Sequence, residues 1–338
     1  MDRRRSIAAL IAGALSLAAR SQRQAGDKIR VVGLMANSIP VEEVASRNFT
    51  NPAPKVIEDG LRELGWVEGR NVRLVWKTVA GRYDRWPEVV RELVTMRVDV
   101  IVVFADGAAK AAIGETRSIP VVHAGMGTLL DPKIIDSLQR PGGNLTGVSV
   151  DGLNLGAKRL ELLKSAVPSV SRVALLQHAV PADYKGPRFS AQTQAVASNL
   201  KIEIFAFSFD KLEDLPRVFS EVVAKRANGM LVGESSYLYY REYQLPIHEL
   251  LLKHRIPAMY RILNSVESGG LMAYAPNILD LYRAAPRYID KIFKGAKPAE
   301  LPIEAPRKFD FVINLRTARA MGIKIPSLVL ALADRVIE

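Results

Sequence analysis

Cysteine is absent from all 338 residues. That absence excludes disulfides, thiol nucleophiles, thiolate metal sites and the lipid anchor that exported proteins carry on a processed N-terminal cysteine. Long hydrophobic runs are missing too: residues 98–104 and 327–333 are the candidates, and both fall far short of the roughly 20 apolar residues of a membrane span. Histidine is scarce, at four copies (His123, His178, His248 and His254), with no His-Glu-x-x-His or other close metal-binding pair. Gly147-Val-Ser149-Val-Asp151 lacks the second glycine of a nucleophile elbow, and Gly125-x-Gly127 lacks the third glycine of a dinucleotide fingerprint. The formal charge is +12, but it is spread along the chain without a long basic block or an RNP-like, zinc-finger or helix-turn-helix signature. We read it as a solvated surface, favourable to an anionic membrane face, and expect no nucleic-acid partner.

Among the features present, the start of the chain is the most directive. Arg3, Arg4 and Arg5 precede an apolar stretch over residues 7–19 and a small, polar exit over residues 21–26. A basic start, a short apolar segment and small residues at the exit describe a cleavable signal peptide, residues 1–21, with cleavage expected after Ser21. Arg4-Arg5 also fits the twin-arginine export route, so the route stays open. The leader carries three of the twelve net positive charges. With no cysteine to anchor it, the exported chain is expected free in a periplasm-like compartment.

The remaining 317 residues suffice for two cores. Strand-like runs alternate with amphipathic stretches. Strands are expected at residues 28–35, 74–79, 98–104 and 119–124, with helices at 54–64, 86–96 and 107–115 between them. The alternation restarts with helices at 154–166, 188–199, 212–227 and 239–253 and strands at 172–176, 202–207, 229–232 and 257–260. Strand, helix, strand predicts parallel pairing and two doubly wound α/β lobes. The turn-rich Arg140-Pro-Gly-Gly-Asn-Leu-Thr-Gly147 reads as an interdomain crossing. Residues 269–274 and 308–314 are expected to be two further crossings, with a helix at 280–294 between them. Three crossings tie two lobes into a clamp that closes over a ligand in the cleft between them.

The chain also resembles a known family. Gly60-Leu-Arg-Glu-Leu-Gly-Trp-Val-Glu-Gly69, Gly81-Arg-Tyr-Asp84, Val98-Asp-Val-Ile101, Arg140 to Gly147, Lys158-Arg-Leu-Glu-Leu-Leu163, Gly269-Gly-Leu-Met272, Lys294-Gly-Ala-Lys-Pro298, Phe311-Val-Ile-Asn-Leu315 and Ala333-Asp-Arg-Val-Ile-Glu338 look like the ABC-transporter substrate-binding family of tryptophan/tyrosine-binding-protein type. The resemblance covers nearly all of the chain after the leader. It implies the type I periplasmic-binding-protein architecture, two Rossmann-like lobes joined by three crossings: lobe 1 from residues 28–147 and 275–307, lobe 2 from 148–274 and 308–338. It further implies capture of a small organic solute, an amino acid or similar molecule, and delivery to a membrane permease driven by a cytoplasmic ATPase. A solute clamp functions as a monomer and needs no cofactor.

Ligand contacts are expected on loops after the carboxyl ends of strands. In lobe 1 these are Asn37 and Ser38, able to hydrogen-bond a carboxylate or amide; Asp106 and Gly107, where Asp106 caps a helix or accepts a ligand ammonium; and Gly125 and Thr128. Relatives usually carry a small hydroxyl residue where this chain has Asp106, which points to a more cationic or hydroxylated solute. This chain also has Thr128-Leu-Leu ahead of Asp131-Pro132, where the family commonly reads Gly-Asp-Pro. In lobe 2 the corresponding positions are Gln177, Glu234, Ser235, Tyr237, Tyr260 and Arg261, with Tyr237 or Tyr260 stacking on a planar ligand and Arg261 holding a carboxylate. No constellation for catalysis emerges. The rival reading is a periplasmic sensor that presents its solute to a membrane receptor.

Overall fold

The computed structural model describes residues 29–37, 39–125, 134–150, 155–178, 189–233 and 241–338. The chain divides into two compact units. Unit 1 runs to Ser149 and takes back Leu281–Glu304; unit 2 comprises Val150–Asp280 and Ala305–Glu338. The chain therefore passes between units three times, at 149/150, 280/281 and 304/305. The sequence reading set these passages at 147/148, 274/275 and 307/308.

Unit 1 is built on a parallel sheet of five strands: β1 (Arg30–Ala36), β2 (Val72–Thr78), β3 (Val100–Val103), β4 (Val121–Ala124) and β5 (Leu145–Val148), in the order β2-β1-β3-β4-β5. The central strands are fully buried, as their unbroken Val100-Ile-Val-Val103 and Val121-Val-His-Ala124 sequences require of a sheet covered on both faces. Amphipathic helices supply the cover. α2 (Ala53–Glu63) follows the short α1 (Val41–Ser46) and buries Ala53, Pro54, Ile57 and Leu61. α3 (Trp86–Thr95) buries Trp86, Val89, Val90 and Leu93, and α4 (Asp106–Glu115) buries three alanines and Ile113.

Unit 2 repeats the plan and extends it. Its strands are β6 (Arg172–His178), β7 (Glu203–Phe209), β8 (Gly229–Val232), β9 (Ala258–Tyr260), β10 (Met272–Pro276), β11 (Phe309–Asn314) and β12 (Arg335–Ile337). They lie in the order β12-β11-β10-β9-β8-β6-β7. Its helices are α5 (Leu155–Ala166), α6 (Ala191–Asn199), α7 (Leu215–Ala224), α8 (Arg241–His254) and the short α9 (Asn264–Glu267). α10 (Ile278–Phe293) then leads the chain into unit 1, and α11 (Leu315–Met321) and α12 (Ser327–Leu332) complete unit 2.

One expectation is corrected here. Residues 269–274 and 308–314 are not the crossings: they contribute β10 and β11 to the unit 2 sheet, and the crossings lie just beyond them. β11 also runs antiparallel to β10, a direction the sequence reading left open. A parallel neighbour needs a crossover over its own sheet, whereas the chain between these two strands passes through unit 1.

Candidate functional site

In both units the first strand lies beside the third, and the second lies outside the first. A doubly wound sheet of this order has its ligand-binding crevice beyond the carboxyl ends of the strands where the winding reverses. In unit 1 that point is between β1 and β3; in unit 2 it is between β6 and β8. Residues just past those four strands are the candidates.

Asn37 follows β1. Its carbonyl accepts from Gly81 N–H at 2.9 Å, which ties the loop after β2 to the end of β1. Its side-chain Oδ1 is buried and has no hydrogen-bond partner among the described residues. Past β3, Ala105 holds the N-cap position of α4 and Asp106 is the first helical residue. Asp106 does not cap: no side-chain cap hydrogen bond is made there, and its carboxylate is exposed in the first turn. The positive end of the helix dipole therefore already faces a fixed negative charge.

Gly107 is half-buried because the Trp86 indole lies beneath it; a Cβ there would sit 3.4 Å from Trp86 Nε1. Trp86 in turn stacks on Tyr83 at 5.3 Å. Gly125 follows β4, and a Cβ there would come within 2.1 Å of Phe104 O. Only glycine lets the ends of β3 and β4 approach so closely. Ser38 and Thr128 lie outside the described residues.

The sequence reading missed an aromatic group in this unit. Phe104, directly after β3, lies parallel to Trp76 at 6.1 Å and meets the edge of Tyr282 at 5.1 Å, while Phe49 packs on Trp76 at 5.5 Å. Phe104 was detectable as the aromatic residue between a buried strand and Asp106. Tyr282 was not, since it returns from 178 residues further along the chain.

In unit 2, Gln177 sits near the end of β6 with its Oε1 buried and without a hydrogen-bond partner among the described residues. Its side chain lies against Gly233 at the end of β8, where Gly233 N–H donates to Leu176 O at 2.8 Å. Glu234, Ser235 and Tyr237 fall outside the described residues. Arg261, next after β9, is half-buried. Tyr260 is only 2% exposed, edge-on to His248 at 5.2 Å and pressed against Gly270. It presents no ring face for stacking; burial pushes its hydroxyl pKa well above the usual value.

Elsewhere in unit 1 a groove of about 510 Å³ runs along the edge strand β2, lined by Val44, Arg47, Arg73, Leu74, Trp76 and Met96 among others. None of the residues nominated from the sequence lines it. The described residues hold no group of three His, Asp or Glu side chains arranged to bind a metal. No helix among them is long and apolar enough to cross a membrane. His123, the histidine nearest the β4 loop, is fully buried with Nδ1 2.6 Å from Val148 O, a packing role within unit 1.

Comparison with known proteins agrees with this geometry. A tyrosine-binding protein of Clostridioides difficile is 21% identical over 293 residues, covering 85% of this chain and 81% of the relative. Among solved structures, a conserved domain protein of Vibrio cholerae O1 biovar El Tor superposes with a TM-score of 0.76 at 22% identity, covering 91% of this chain and all of that one. The ABC domain from Streptococcus pneumoniae solved in complex with L-Trp superposes at 0.75 and 24% identity, covering 92% of this chain and 100% of the other. The family model for ABC transporter substrate binding proteins matches residues 39–337. That family consists of solute-binding proteins, not enzymes, and the shared fold is the two-lobe, type I periplasmic-binding architecture. The chain belongs to the ABC transporter substrate binding protein family.

Proposed function

We propose that this protein is the extracytoplasmic solute-binding component of an ABC importer, exported by a cleavable signal peptide over residues 1–21. It captures a small organic solute rich in hydrogen-bond donors and delivers it to a membrane permease powered by a cytoplasmic ATPase, acting as a monomer. The observation that carries this reading is the pair of buried, unpartnered amide oxygens at the strand ends, Asn37 Oδ1 in unit 1 and Gln177 Oε1 in unit 2. A buried acceptor without a donor costs about 1–3 kcal/mol, a cost that a ligand N–H or O–H at these two strand ends would offset.

Asp106 narrows the solute class. An exposed carboxylate at the start of α4 opposes a ligand anion at that helix end and favours an ammonium or a cluster of hydroxyls. The named relatives bind tyrosine or carry L-Trp. The reading for this chain is accordingly an amino acid or analogue held by its amine at unit 1, or a polyhydroxylated solute.

The test is a thermal-shift screen of the chain without its leader against amino acids, amines, sugars and small organic acids. A solute that binds only the folded state stabilises by about 2.7 kcal/mol at 100 times its Kd, enough to move the melting transition visibly. The expected result is a saturable shift from amine-bearing or polyhydroxylated compounds. Asp106→Asn should weaken that affinity at least about ten-fold if an ammonium is held there, the equivalent of one charge-assisted hydrogen bond. Shifts from simple carboxylates alone, unchanged by Asp106→Asn, would reject this solute class.

A further inference from the structure

α12 has an unusual composition for an exposed helix: Ser327-Leu328-Val329-Leu330-Ala331-Leu332 is apolar around nearly its whole circumference. Such a helix ordinarily lies inside a core or a membrane. Here only Val329 is buried, on the side where α12 packs against α5, while Leu328 is 83% exposed and Leu332 64% exposed. These are the two most exposed large hydrophobic side chains among the described residues, and at i and i+4 they share one face.

The chain leading into them is basic. From Leu315 to Ala333 the chain carries Arg316, Arg319 and Lys324 and no acidic residue. Arg316 donates to the backbone oxygen of Glu338, but Arg319 and Lys324 are exposed and in no ion pair among the described residues. Asp334, two residues past Leu332, accepts from Phe311 N–H at 2.7 Å and keeps its charge, while the adjacent Arg335 lies 2.6 Å from Glu267. On α5, Lys158 pairs with Glu161 at 3.5 Å.

We propose that α12 is a membrane-contact element: Leu328 and Leu332 enter the surface of an anionic bilayer while Arg319 and Lys324 meet its head groups. Apolar insertion flanked by cations is the composition of interfacial helices, and each basic residue near an anionic leaflet adds attraction that salt screens. The area argues against a second copy of the chain. Two leucines offer on the order of a few hundred Å², against roughly 800 Å² per partner in a standard protein interface. Such weak and reversible contact confines solute capture to the layer next to a membrane.

The experiment is flotation of the purified chain without its leader, with vesicles of phosphatidylcholine alone and of phosphatidylcholine containing about a quarter phosphatidylglycerol. The expected result is binding to the anionic vesicles only, reversed by high salt and reduced about ten-fold or more in Leu328→Ser/Leu332→Ser. Arg319→Glu/Lys324→Glu should abolish it. Because all four side chains are exposed, melting curves of both variants should overlay the parent, separating lost binding from lost folding. Absence of binding to anionic vesicles overturns the proposal, as does equal binding by the serine variant. So does binding only to vesicles that also carry a membrane protein. A concentration-dependent dimer broken by the same leucine substitutions would assign the patch to a second copy instead, with the same consequence.

Discussion

His248 lies on α8 with its ring perpendicular to that of Tyr260 and Nδ1 3.3 Å from Ser268 O. Burial pushes its pKa down from 6.5 to about 4, with the Ser268 carbonyl pulling weakly the other way. A histidine that resists protonation in the folded state stabilises the fold above its unfolded pKa, and that contribution is lost as pH falls from about 6.5 toward 4, because the unfolded chain takes the proton first. The effect should be on the order of 2 kcal/mol. Melting temperature is therefore expected to fall over that window, and His248→Gln should flatten the slope even if it lowers the plateau. A His248→Gln variant with the parent's acid profile would show that other groups set it. The position was legible as a histidine on a helix; its insulation was not, because the residues that bury it come from β9 and the loop at Ser268.

At the scale of single elements, caps and edges decide where structure begins. Asn314 ends β11 and starts α11: its Oδ1 accepts from Arg316 N–H at 3.0 Å and Thr317 N–H at 3.2 Å, while its Nδ2 donates to Val266 O at 3.1 Å. One buried amide thus caps one helix and pins another. Asn314→Ala should cost about 2 kcal/mol, a lost cap plus the lost side-chain bond to Val266 O, which keeps its bond from Gly269 N–H, read as a shift in urea midpoint. Asn314→Asp should recover part of it by keeping the cap acceptors. Long elements such as α3 and α4 were legible because two or more turns display a period. α1, α11 and α12, at six or seven residues, are too short to show one. The direction of β11 was equally invisible, since it depends on where the intervening chain goes.

On the scale of the molecule, unit 1 depends on chain that arrives late. Leu281, Ala284, Ala285, Tyr288, Ile289 and Phe293 of α10 are all buried. Trp66 Nε1 donates to Asp290 Oδ1 at 3.0 Å and its ring meets Phe293 at 4.8 Å. α10 also seats Pro286 against Gly60, where a Cβ would come within 2.8 Å. A chain stopped after Asp280 should therefore leave unit 1 with an open apolar face, and it should melt without a cooperative transition or aggregate on purification. Adding back residues 281–304 as a separate peptide should restore some cooperativity in circular dichroism. A truncated chain that unfolds as sharply as the whole would show that unit 1 is complete without its returning segment.

Local order in this protein determined its class: continuous apolar strands, amphipathic helices between them and glycines at the turns were enough to read two doubly wound α/β units. Those features act between near neighbours along the chain, so the sequence displays them directly. Tertiary structure alone decided that Tyr260 is core and not a stacking platform, that Asp106 leaves its helix uncapped, that Phe104 and Tyr282 meet, and that β10 and β11 belong to one sheet. Each depends on contacts between residues distant in sequence, where burial and hydrogen bonding are set by the partner's position, and residue type does not encode that position.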